Sequence, residues 1–176
     1  MVFDSGIPCF KIDTKILTDK GYRLIQYLRT GDLLATLRNG LVPIHRIGRS
    51  TITHQATENR IQDQLYVCTP EKYPEVFEDL VLTGCHSILV DEMEDIEKED
   101  TRIILNDLYL TDQKYRLPAC VDRRAKIYEE PGKYTIYHIA LENDNDLENY
   151  GIYANGLLVE SCSKWSLLEC SKMELL

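Results

Sequence analysis

Pro8-Cys9-Phe10-Lys11-Ile12-Asp13-Thr14-Lys15-Ile16-Leu17-Thr18-Asp19-Lys20-Gly21, continued by Leu28-Arg29-Thr30-Gly31-Asp32, decides how the rest of this chain is read. A single cysteine opens the stretch. Two runs of β-forming residues follow, Thr14 to Thr18 and Leu33 to Leu37, each approached through a turn that holds Gly21 or Gly31-Asp32. Alone, this is an early cysteine followed by a β-hairpin pattern. A cysteine beside a strand is ordinarily a small buried hydrophobe.

Further along, Asn39-Gly40 separates Leu33–Arg38 from Leu41–Ile47 and is a strong two-residue hairpin signal. Thr51 to Gln64 is polar and fits either a strand with a loop or an insertion. Leu65-Tyr66-Val67-Cys68 reads as a buried strand stopped by Pro70 and Pro74. Val76 to Leu82 leads into Thr83-Gly84-Cys85-His86, and Ile88-Leu89-Val90 resumes as strand. The acidic run at 91–100 reads as a solvated loop or short surface helix rather than a metal site. Tyr134 to Leu141 alternates with period 2, with Tyr134, Ile136, His138 and Ala140 on one face. Ile152 to Val159 carries a hairpin turning at Asn155-Gly156. The period changes only after residue 163. There Ser166-Leu167-Leu168-Glu169 fits a capping box, and Trp165, Leu167, Leu168, Cys170 and Met173 fit a short amphipathic helix. Many short alternating runs with little helix make the fold class all-β.

A chain of 176 residues with 44% hydrophobic and 28% charged residues is most simply one globular domain. Its net charge of −9, with basic residues scattered, argues against nucleic acid as a partner. The densest basic group, Arg123-Arg124-Ala125-Lys126, reads as a solvated turn. No apolar run has the length of a membrane span, and the N-terminus lacks a signal-peptide pattern. Cys9, Cys68, Cys85, Cys120, Cys162 and Cys170 show neither C-x-x-C pairing nor zinc spacing, so no metal or other cofactor is expected. Free thiols in a reducing intracellular compartment or a virus particle are the expectation.

The Cys-Phe pair, the Thr-x-Ile-x-Thr strand and the Gly-Asp resemble the opening of a Hint (Hedgehog/intein) domain, most of all the stand-alone Hint-like domains of bacterial and viral proteins. Leu80 to Val90 is similar to that family's Thr-x-x-His motif at a strand end, and Tyr150 to Ser161 looks like its closing strand pair. The three stretches fall in the family's order, from about residue 8 to residue 162. The resemblance implies a flattened horseshoe of curved antiparallel strands with pseudo-twofold symmetry, followed by a short C-terminal helix. It divides the chain into a flank (1–8), a Hint domain (9–162) and an amphipathic tail (163–176).

The resemblance also implies intramolecular acyl transfer, with the chain's own N-terminal flank as substrate. Cys9 would attack the carbonyl of Pro8, converting the Pro8–Cys9 amide into a thioester. His86 would protonate the departing nitrogen, Thr83 would hold the scissile peptide, and His138 would act as a base toward Cys9 or simply pack. His45 and His54 have no motif support. At the C-terminal junction, Glu160-Ser161-Cys162 stands where a splicing intein has His-Asn before its downstream nucleophile. Serine cannot cyclise to a succinimide, so splicing is not expected. What remains is single-turnover cleavage or transfer. The alternatives are a silent Hint fold serving as a subunit of a larger assembly such as a virus particle, and a cysteine hydrolase acting on other molecules.

Overall fold

Among the described residues, 7–176 of the computed structural model, fifteen strands hydrogen-bond into one open, essentially antiparallel sheet. Residues 1–6, most of the expected flank, lie outside the described residues. The chain enters through β1 (Phe10–Lys11), turns at Asp13, and forms the hairpin of β2 (Lys15–Thr18) and β3 (Gly21–Leu24). β4 (Leu33–Ala35) and β5 (Leu41–His54) make the hairpin announced by Asn39-Gly40, with Leu34 opposite Val42. β5 runs well past Ile47, so the ambiguous residues Thr51 to His54 are strand.

β6 (Leu65–Cys68) pairs with β7 (Leu80–Thr83), and β8 (Ser87–Val90) follows a tight turn. The acidic run then becomes α1 (Asp95–Leu105), the surface-helix option. The Glu97 carboxylate accepts the Glu94 backbone N–H at 2.9 Å, Asp95 and Glu97 favour the first turn, and left-handed Asn106 ends the helix. β9 (Leu110–Thr111), β10 (Lys114–Pro118) and β11 (Lys126–Ile127) lead to β12 (Gly132–Leu141). β13 (Gly151–Ala154) and β14 (Leu157–Glu160) close the hairpin at Asn155, whose φ is 46°. β15 (Glu174–Leu175) ends the chain's path.

β12 organises the site. It pairs with β5 from Gly132↔His54 to Leu141↔Ile44, with a bulge at Ala140/Leu141, and takes β1 on its other edge through Phe10↔Tyr137. From Ile136 to Leu141 both of its faces are buried. Tyr137, Ile139 and Leu141 join the main core with Phe10, Ile44 and Val159. The opposite face feeds two small clusters, Ile136 with Cys9 and Leu65, and Ala140 with Cys162 and Leu167. The alternation seen in the sequence therefore separates a large core from a thin one, rather than core from solvent.

One expectation needs correction. The capping box at Ser166 does not form; Ser163 Oγ instead accepts the Ser166 N–H at 3.1 Å and starts one wide helical turn over Ser166–Cys170. In that turn only Leu167 is buried, while Trp165, Leu168 and Cys170 are exposed. The tail then doubles back. Met173 packs against the thin core, and β15 pairs with β5 at Gly48 and Arg49. A Cβ on Gly48 would come within 2.7 Å of Leu167 and 3.0 Å of Met173 Sδ, so the tail's seat requires glycine there. The Arg123–Lys126 group is the solvated turn expected, with Arg123, Arg124 and Lys126 all exposed. Arg124 binds the buried Asp122 carboxylate at 2.8 Å, and Asp122 also accepts the Tyr73 hydroxyl at 2.9 Å.

Candidate functional site

The turn after β7 is fixed by its own backbone. Gly84 N–H faces the carbonyls of Gln62 and Gln64, at 3.1 and 2.9 Å, and a Cβ there would lie 2.7 Å from the Ile61 carbonyl oxygen. His86 N–H returns to Thr83 O at 3.0 Å, while Cys120 N–H closes on Gly84 O at 2.9 Å. The Thr-x-x-His stretch is thus a rigid platform.

Thr83 grips Cys9 at both ends. Its backbone N–H donates to Cys9 O at 3.0 Å, and its hydroxyl accepts the Cys9 N–H at 2.9 Å. The same hydroxyl lies 3.4 Å from the carbonyl of Ile7, so it spans the Pro8 peptide unit. Continuing the Phe10↔Tyr137 register by one residue sets Cys9 opposite His138. Cys9 is buried. Burial raises its thiol well above the usual value, and the thiols of Cys85 and Cys162 add to the rise.

His86 packs on Phe10 with ring centroids 4.3 Å apart and faces His138 edge-on at 6.3 Å. Its Nε2 lies 2.9 Å from the Glu160 carbonyl oxygen. A carbonyl only accepts, so Nε2 carries the proton. Nδ1 is buried without a partner among the described residues. Burial lowers the pKa of His86, opposed by the Glu160 carboxylate, the Glu160 carbonyl and the Cys9 backbone. His138 is fully buried with neither ring nitrogen paired; burial, then His86, hold it well below the usual histidine value. Both imidazoles are therefore neutral at pH 7.

The closing strand completes the arrangement. The Glu160 carboxylate accepts the Ser87 N–H at 2.9 Å and lies 3.6 Å from the Arg116 guanidinium. Tyr150 N–H donates to Ser161 Oγ at 2.9 Å, and Cys162 N–H donates to Ile139 O at 2.8 Å. Cys9, Thr83, His86, His138 and Glu160–Cys162 thus come together from four parts of the chain. His45 and His54 sit elsewhere, His45 beside Glu142 and His54 between Tyr128 O and Leu65 N–H.

Sequence reasoning missed three participants. The Phe10 ring against His86 was quoted only as part of a motif. Glu160, named as a junction residue, also orients His86 through its carbonyl. Met173, marked in the sequence only as a member of the tail helix, packs against the cluster that contains Cys9. Two cavities lie at the site, one lined by Cys9 and the other by Pro8. One of about 200 Å³ is walled by Thr83, Cys85, Lys172 and Met173, and one of about 480 Å³ adjoins Pro8, Glu160 and Trp165. Among the described residues no three His, Cys, Asp or Glu side chains are grouped as metal ligands, and no helix is long and apolar enough to cross a membrane.

Three solved structures are similar in outline. The gp41-1 intein aligns at 13% identity, over 88% of this chain and 98% of its own, with a TM-score of 0.46. A bacterial intein-like domain from Clostridium thermocellum aligns at 12% identity, over 89% and 99%, with a TM-score of 0.48. A DnaB intein from Synechocystis aligns at 13% identity, over 88% and 99%, with a TM-score of 0.46. No curated protein sequence matches. The sequence pattern of the Hint domain, by contrast, is matched continuously over residues 8–165, from the residue before Cys9 through the closing strands. With its open antiparallel sheet and that match, the chain belongs to the Hint domain family.

Proposed function

We propose that this protein performs an N–S acyl shift at Cys9 and releases or transfers the acyl group that ends at Pro8, in a single turnover and without splicing. The observation that carries this reading is the Thr83 hydroxyl, 2.9 Å from the Cys9 nitrogen, which is the leaving atom of the reaction. The resting Cys9 is a neutral thiol, so its proton must leave as sulfur attacks. The bare Nδ1 of neutral His86 and the single unprotonated nitrogen of neutral His138 are acceptors for it. The Cys9 sulfur bonds to the Pro8 carbonyl carbon, the C–N bond breaks, and the nitrogen takes up the proton from the imidazole. General acid–base help of this kind contributes roughly 10² to 10⁴ in rate. Water, a thiol or an amine then breaks the thioester and restores the Cys9 thiol.

Ser161 has no side-chain amide, so no scission at Ser161–Cys162 accompanies the shift. Intact mass before and after incubation with dithiothreitol, beside Cys9→Ala, tests the reading. Loss of the Met1–Pro8 mass in wild type alone supports it. An unchanged mass in both proteins sinks it.

A second reading is favoured by one observation. Cys9 is buried beneath the thin core while His86 Nε2 is held by Glu160, as a silent fold kept for interaction would have them. The unchanged mass is the outcome that selects it.

A further inference from the structure

The cavity of about 480 Å³ beside Pro8 is far larger than a hydrolytic water needs, at roughly 30 Å³, and falls in the ligand-site range of about 300–1,000 Å³. Its inner wall holds Ser87, fully buried, whose hydroxyl has no partner among the described residues. A buried hydroxyl is costly to leave unpaired, so Ser87 Oγ is a hydrogen-bonding anchor for a polar group entering the cavity. The outer wall is flat and apolar. Tyr109, Leu147 and Trp165 line it and are 44%, 66% and 48% exposed.

Charge narrows the class of occupant. The only cation on the wall, Arg116, is already engaged by Thr111 Oγ1 at 2.7 Å, Asn149 Oδ1 at 3.0 Å and the Glu160 carboxylate at 3.6 Å. No free positive group awaits an anion, and a net charge of −9 concentrates cations around the molecule. We propose that this cavity binds the external nucleophile that takes the acyl group from Cys9, and that its occupant is a primary amine carried on a flat apolar body. The inference rests on the acyl shift at Cys9. The amine's N–H donates to Ser87 Oγ while its body lies against Trp165 and Leu147. In its neutral form the nitrogen attacks the thioester carbon, the C–S bond breaks with its electron pair on sulfur, and the amine's proton returns the thiolate to a thiol. The products are an amide of the Pro8 acyl group and free Cys9.

Trp165 is the only tryptophan, so its fluorescence reports on this wall alone. Benzylamine titrated into Cys9→Ala protein is expected to change that fluorescence saturably, with the midpoint raised about tenfold in Ser87→Ala, for one lost hydrogen bond. Leu147→Arg, an exposed change that spares folding, is expected to weaken binding as well. A linear, non-saturating quench that is equal in all three proteins overturns the site. In wild type, benzylamine is expected to capture the Met1–Pro8 group as its benzylamide, saturating at the same concentration, while hydroxylamine captures it without saturation. Hydroxylamine capture with a linear benzylamine dependence overturns the acceptor role. If hydroxylamine also captures nothing, the acyl shift itself fails and the acceptor role falls with it; the fluorescence titration then decides separately whether the cavity binds amines.

Discussion

Thr83 and Cys9 are joined by two hydrogen bonds that face opposite ways: Cys9 N–H to the Thr83 hydroxyl at 2.9 Å, and Thr83 N–H to Cys9 O at 3.0 Å. Removing the hydroxyl leaves a buried N–H without an acceptor. Thr83→Val is therefore expected to cost about 1–3 kcal/mol in urea unfolding. Thiol-induced release of Met1–Pro8 should slow by about 100-fold, as misplaced reacting groups do. Thr83→Ser should keep both. Equal release rates for Val and wild type would show that the hydroxyl only braces the fold.

The pH dependence of stability follows from the buried histidines. Burial depresses His86 and His138 below the value of about 6.5 they have when unfolded. Between the two values the unfolded chain binds more protons, so stability falls as pH drops through that window. Urea midpoints should decline from pH 7 to 5, and His138→Gln should flatten the decline. The thiols act oppositely. Cys9 and Cys162 are raised, and Cys85 is pushed up to about 12, so above roughly pH 8.5 the unfolded chain loses protons first and stability falls again. A flat profile from pH 5 to 7 in wild type would contradict the neutral buried histidines.

Gly48 seats the tail. Gly48→Val places methyl groups where Leu167 and Met173 already lie, at 2.7 and 3.0 Å from a Cβ. Overpacking of this kind costs about 1–3 kcal/mol. Limited proteolysis should cut within residues 163–176 of the variant well before wild type. The same digestion rate for both would mean that the tail is not held at this position.

Tyr73, Asp122 and Arg124 form a polar knot in which Tyr73 and Asp122 are buried and Arg124 is exposed, stacked 4.5 Å over the Tyr73 ring. Burial raises the Tyr73 hydroxyl far above its usual value, so it stays protonated and donates to Asp122. Tyr73→Phe should lower stability by about 1 kcal/mol. Asp122→Ala should lower it by more, since it strands the buried Tyr73 hydroxyl and also breaks the ion pair with Arg124. Thiol-induced release should be unchanged in Tyr73→Phe, because the knot is not among the groups around Cys9.

Much of the fold could be read from the sequence because its signals are local. Asn39-Gly40 and Asn155-Gly156 each fix a hairpin within a few residues, and Leu65–Cys68 is apolar throughout. Cys9, Thr83 and His86 were legible for the same reason, each carried by a short motif. The length of β5 was not, because Thr51–His54 open the largely polar stretch that runs to Gln64, and pairing with Gly132–Thr135 is what separates them from it as strand. α1 was read only as an option, since Ile96 and Ile103 face solvent and blur its apolar stripe. The knot at Asp122 and the packing of Met173 join residues far apart in sequence, so no local signal pairs either with its partners. Gly48 looked like one more small residue in a strand until the tail was seen lying on it.

The site's dispersal along the chain sets a clock. Cys9 leaves the ribosome about 150 residues before Glu160, whose carbonyl fixes His86. At about 5–20 residues per second, roughly 8 to 30 s separate the two during synthesis. Through that interval the thiol has neither its closing strand nor its covering methionine. An acyl shift at Cys9 would therefore wait until the closing strand has been made, with no inhibitor needed to delay it.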